Sequence, residues 1–259
     1  MGNRRLIATA LVLIAAGVGA FFALQTKPPA LRLSDATAAI HVFDGTPSIA
    51  ISLKIANDGA PDRLLGVTSD EAKLAMLHGE EDLTGLPIPA GTGASLAGDG
   101  AHVMLMSVSG DLTPGRLFPI TLEFQNAGEM AVKATLTSQS DVMQMDHSGH
   151  GGGAMMVATN PPTLSISAEE TASGWRIRSD ATNFRFAPEA MDGPHVAGEG
   201  HGHLYIGGIK IMRVTAEEVE IGALPPGEHK IRVTLNTNDH QMYMAGDAPV
   251  TAVTVVTAR

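Results

Sequence analysis

From residue 31 onward the apolar residues of this chain come in short runs, broken every few positions by Gly, Pro, Asn or Asp. Sustained 3.6-residue periodicity is scarce. Runs at 49–55, 102–107, 118–124 and 130–136 are too short for helices, and turn-forming residues bound them. A second series follows at 164–167, 175–179, 204–206, 210–214, 229–235 and 249–256. This pattern predicts an all-β protein of the Greek-key β-sandwich kind. Between the two series, residues 138–162 are rich in Ser, Gly, Met and His and close on Asn160-Pro161-Pro162, the composition of a linker. The expectation is two sandwich domains, 31–137 and 163–259. Leu112-Thr113-Pro114-Gly115 and Leu224-Pro225-Pro226-Gly227 each lead into a strand. They suggest two related domains, although a Pro-Gly turn before a strand recurs in many β proteins.

The N-terminus fixes the compartment. Arg4 and Arg5 precede an apolar run over 6–24, so the charges stay cytoplasmic and the rest is exported. The run is near the length that spans a bilayer and exceeds a usual signal core, which favours an uncleaved inner-membrane anchor over a cleaved signal peptide. Either reading places the chain in the periplasm. Pro28 and Pro29 then make a short stiff spacer. The formal net charge of -10 argues against a nucleic-acid partner. The chain has no cysteine, which removes disulfides, thiolate metal sites and type 1 blue copper. It has 13 Met and 10 His instead. Thioethers bind Cu(I) without forming disulfides.

Met and His are also spaced for chemistry. Residues i and i+2 of a strand share a face, so that spacing brings two ligands toward one ion. Random placement would give roughly 2 His/Met pairs at i,i+2, counted against that template. The sequence holds eight: 76/78, 102/104, 104/106, 143/145, 145/147, 201/203, 240/242 and 242/244. In Ala101-His102-Val103-Met104-Leu105-Met106, His102, Met104 and Met106 share one face while Val103 and Leu105 share the other. The second set supplies core burial. The first presents an imidazole and thioethers to a soft cation.

Several segments recur here in the order of a known family: Ile55-Ala-Asn-Asp-Gly59, Asp62-Arg-Leu-Leu65, Leu86-Pro-Ile-Pro-Ala-Gly91, His102-Val-Met-Leu-Met106, Leu112-Thr-Pro-Gly115, Ile120-Thr-Leu-Glu-Phe124 and Ala127-Gly128. Residues 31–137 thereby resemble the PCu(A)C periplasmic copper chaperones. The resemblance implies a cupredoxin-like β-sandwich that holds Cu(I) at an exposed site. It also implies a cuproprotein acceptor such as the CuA centre of cytochrome oxidase subunit II. His102 and Met104 match the family's His-x-Met pair. Where the family carries its other His and Met, this chain has Ser69 and Glu80. Met76 and His78 lie nearby and are expected to take over that role.

Met143, Met145, His147 and His150, followed by Met155 and Met156, make the linker a candidate copper-capturing arm. In the second block His201, His203, His240, Met242 and Met244 offer a mixed site, and its imidazoles would also accept Cu(II). The second block loosely resembles a cupredoxin-like domain of bacterial envelope proteins. His41, His195 and His229 read as ordinary structural histidines. No nucleophile constellation and no phosphate-binding glycine loop stands out. The expectation is a non-enzymatic periplasmic Cu(I) chaperone. The alternative is an envelope copper store that buffers several ions and delivers none.

Overall fold

The computed structural model describes residues 30–43, 46–79, 85–138 and 155–259, and Leu31–Arg259 form one compact unit. The predicted anchor at 6–24 and Met143, Met145, His147 and His150 lie outside the described residues. Among the described residues no helix is long and apolar enough to cross a membrane. The fold is all-β. The first block contributes β1 (Leu31–Phe43), β2 (Thr46–Asn57), β3 (Asp62–Thr68), β4 (Ala72–His78), β5 (Leu86–Ile88), β6 (Ala94–Leu96), β7 (His102–Val108), β8 (Leu117–Phe124) and β9 (Gly128–Leu136). The segment read as a linker ends in a strand, β10 (Met155–Val157). The second block adds β11 (Thr163–Thr171), β12 (Gly174–Thr182), β13 (Arg185–Phe186), β14 (Glu199–Ile206), β15 (Ile209–Val214), β16 (Glu218–Gly222), β17 (Gly227–Thr237), β18 (Met242–Ala245), β19 (Ala248–Pro249) and β20 (Thr251–Ala258). A single turn of 3-10 helix at Pro188–Ala190 interrupts it.

In the first block β1, β2, β7 and β4 pair antiparallel in that order. A second run pairs β5, β3, β8 and β9. The two runs join where β1 meets β9 in parallel, Thr37 opposite Thr135 and Ala38 opposite Leu136. Alternation then divides the side chains. Ile49, Ile51, Val103 and Leu105 are all fully buried in the core with Leu64, Phe118, Ile120, Leu122 and Phe124. Their neighbours in sequence point to the other face of β2 and β7.

In the second block β20, β17, β14 and β15 form a sheet in that order. A separate three-stranded sheet holds β11, β12 and β16. β18 leaves the end of β17 through the pair Asn236–Met242, and β10 runs parallel to β18.

The blocks are stitched together by backbone groups. Lys210 on β15 pairs with Ser95 on β6. The Ala101 amide donates to Gly208 O and the Ala90 amide to Ala223 O, each at 2.9 Å. The Gly222 amide donates to the Thr92 hydroxyl at 2.9 Å. A Cβ at Gly222 would lie 1.6 Å from the Ala90 carbonyl oxygen, so only glycine permits this approach. One apolar cluster contains residues of both blocks, from Leu31 to Ala258.

Candidate metal centre

β4 and β7 lie side by side with Met76 opposite Met104 and His78 opposite His102. Cross-strand partners share a face, and so do residues two apart on one strand. The register therefore gathers two thioethers and two imidazoles on one face of this pair. The rings of His78 and His102 stand edge to face with centroids 5.3 Å apart. The His102 Nδ1 lies 3.1 Å from the Gly100 carbonyl oxygen. A carbonyl only accepts, so the proton sits on Nδ1 and the lone pair on Nε2, the tautomer that ligates a metal.

Burial differs across the pair. His102 is 3% exposed and Met104 2%, while Met76 is 37% exposed and His78 is half-buried. Met104 is buried yet stands outside both apolar clusters, which contain Val103 and Leu105 instead. The strand thus has a core face, with Val103 and Leu105, and a second face, with His102, Met104 and Met106. Met106 occupies the next position on that second face, but its cross-strand partners are Leu74 and Ser48, neither a soft ligand. Ser48 in turn pairs with His41 of β1, so a further imidazole lies on the same face at the far side of β2.

In the second block the ligand atoms of His201, His203 and His240 all lie within 4.8 Å of one another. The first two sit on β14 and the third in the turn between β17 and β18. Met242 shares a cross-strand row with His201 through Asn236, and continues it to Met155 on β10. Met244 lies opposite Val157 on β10. Met156 packs on the cluster of Leu235, Tyr243 and Val250, which makes it a core residue. His229 is buried against the Pro225 carbonyl, 2.6 Å from its Nε2, as expected of a structural histidine. Burial lowers its pKa below the ordinary value, with the Pro225 hydrogen bond opposing.

Two carboxylates that spacing did not reveal lie beside the His201, His203 and His240 cluster. Asp99, in a Gly-Asp-Gly turn before β7, lies 2.9 Å from His203 Nδ1. Asp192 lies 2.5 Å from His240 Nε2. The only sequence signal for Asp99 is its place between two glycines, and for Asp192 there is none.

Residues 29–136 match the family described as putative lipoprotein LpqE-like. No curated protein matches the chain. Among solved structures, an apo PCuAC domain from PmoF1 is similar at 25% identity, over 42% of this chain and 94% of that one, with a TM-score of 0.38. A copper-bound PCuAC domain from PmoF2 is similar at 24% identity over 42% and 93%, with a TM-score of 0.37. The Cu(I) form of DR1885 from Deinococcus radiodurans is similar at 25% identity over 45% and 83%, with a TM-score of 0.33.

Proposed function

We propose that this chain is a non-enzymatic copper carrier of the cell envelope, and that Cu(I) rides between β4 and β7 on His78, His102, Met76 and Met104. The observation that carries the reading is the register, which sets Met against Met and His against His on one face. That donor set is soft and needs no cysteine, and it suits Cu(I) better than a hard cation. Its uneven burial suits delivery. The β7 ligands are fixed from below, while Met76 and His78 are reachable from solvent. An acceptor ligand can displace Met76 first and draw the ion out by exchange, without releasing it to water.

In this reading residues 31–137 are the chaperone domain, 138–162 its Met/His arm and 163–259 a second domain. The acceptor is an apo-cuproprotein such as the CuA subunit of cytochrome oxidase. The LpqE-like match and the run at 6–24 support a periplasmic, inner-membrane-tethered place. The chain contains no cysteine to carry a lipid.

The test is a Cu(I) competition titration against a chelator with Met104→Leu, a volume-conserving change that leaves folding nearly unaffected. Affinity should fall by at least tenfold, and Cu(I) should pass from the wild type to an apo-CuA fragment. Unchanged affinity would remove the ligand assignment. Tight binding without transfer would make the protein a copper store.

A further inference from the structure

A second cluster of donors lies in the other block. β14 reads Gly200-His201-Gly202-His203, and its geometry dictates each position. A Cβ at Gly200 would lie 1.9 Å from the Asn236 carbonyl oxygen, and one at Gly202 would press on Val214 and Val233 at 3.1 Å. The strand is clamped between β15 and β17, so the intervening positions must be glycine, and both imidazoles are left on one face. His201 is 0% exposed and His203 1%. Their Nε2 atoms lie 3.1 Å apart. The third ring arrives from the β17–β18 turn. His240 has a φ of 63°, in the left-handed region, and its ring centroid is 4.7 Å from that of His201 and 6.2 Å from that of His203.

What surrounds the rings matters more than their proximity. Metal-bound histidines commonly donate their second N–H to a carboxylate or carbonyl, which fixes ring orientation and raises ligand basicity. Here two of the three do so. His203 Nδ1 meets the Asp99 carboxylate at 2.9 Å, leaving Nε2 directed at His201. His240 Nε2 meets Asp192 at 2.5 Å, leaving Nδ1 as its ligand atom. Asp99 is held in turn by Lys210 at 2.6 Å and by the Tyr205 hydroxyl at 2.9 Å. Arg213 reaches Asp192 at 3.3 Å. The buried Nδ1 of His201 has no hydrogen-bond partner. Three convergent imidazoles, largely buried, gain little for packing and leave polar nitrogen atoms out of water. A cation held between the three rings would account for the arrangement.

We infer that His201, His203 and His240 form a second, all-nitrogen metal site for a borderline divalent cation, Cu(II) or Zn(II), and that Asp99 of the first block is its positioning residue. Imidazole is a borderline donor, so this site differs in kind from the thioether site on β4 and β7. Three protein ligands leave the fourth position of a tetrahedral ion to water or another ligand. Asp99 lies three residues before His102, in the turn that Ala101 ties to Gly208. The divalent site is thus built from both blocks, and its outer shell comes from the turn that enters the Cu(I) strand.

The experiment uses the full chain. Cu(II) is added and read by electron paramagnetic resonance, and Zn(II) by calorimetry, for wild type, His240→Asn and Asp99→Asn. Asparagine tolerates the left-handed backbone at 240, and circular dichroism checks folding. The wild type should bind one more equivalent of Cu(II) or Zn(II) than His240→Asn, with a spectrum showing nitrogen-only coordination. His240→Asn should weaken that equivalent by at least 100-fold and leave Cu(I) affinity unchanged. Asp99→Asn should weaken it by 10- to 100-fold and alter the Cu(II) spectrum, and Asp99→Glu should restore part of both. Equal divalent stoichiometry and affinity in wild type and a folded His240→Asn would overturn the site. Asp99→Asn binding and a spectrum identical to wild type would overturn the positioning role. A failure here leaves Cu(I) binding at Met104 untouched, so the two assignments fall separately.

Discussion

At Met104 one strand position separates the core face of β7 from its other face. Val103 and Leu105 are fully buried in the apolar core, and the residue between them is equally buried but faces Met76 and Ala50. Deleting bulk on the two sides should have different consequences. Leu105→Ala removes core volume and should cost about 2–5 kcal/mol of stability. Met104→Leu should cost less than about 1.5 kcal/mol. Urea midpoints of the metal-free protein measure both. Equal losses at the two positions would mean that Met104 is a core residue like its neighbours. His102 is fixed by a similar local cause, because the Gly100 carbonyl two residues back selects its tautomer.

Among the strands, β4 was the least legible. Its sequence, Ala72-Lys-Leu-Ala-Met-Leu-His78, is rich in helix formers, and local propensity alone does not make it a strand. Pairing with β7 overrides that preference. The pairing also sets Met76 opposite Met104 and His78 opposite His102, which local sequence alone does not dictate. The segment 138–162 is only partly a tether, because β10 pairs with β18 and Met156 packs inward. Its ligand-rich stretch should therefore be removed without touching 155–157. Deleting 143–150 should lower Cu(I) stoichiometry or slow uptake while the unfolding midpoint stays within experimental error. A deletion with unchanged stoichiometry and uptake rate would make the stretch a plain connector.

Across the whole molecule the two blocks meet at hydrogen-bonded turns and share a core. Arg63 of β3 donates to the Pro226 carbonyl at 2.5 Å, beside the Pro225 carbonyl that holds His229. This junction should be sensitive to acid. Burial, with the nearby Arg63 charge, holds His229 below the ordinary pKa of 6.5. As pH falls below about 6.5 the unfolded chain takes up this proton before the folded one does. The stability that neutral His229 contributes is complete above that pH and is lost as pH drops toward the lowered folded value. His229→Gln, which titrates at neither end, should lose less stability than wild type between pH 7.5 and 5 in metal-free buffer. Parallel urea midpoints for the two proteins over that range would contradict it.

The sequence by itself determined what depends on near neighbours. Alternating short runs gave the all-β class and the strands from 49–55 through 249–256. They also placed His102 with Met104, and His201 with His203, on shared faces, because the two-residue strand period is a local property. The absence of cysteine and the abundance of Met and His narrowed the candidate donors to thioether and imidazole. The partners of those donors were decided only by tertiary structure. His78 meets His102 through a strand register, and His240 meets His201 across a turn. Asp99 reaches Tyr205 over 106 residues of chain. Contacts at such separations depend on how sheets pair and pack, and no local pattern encodes them. The same reason explains why residues of both runs of strands contribute to one apolar cluster.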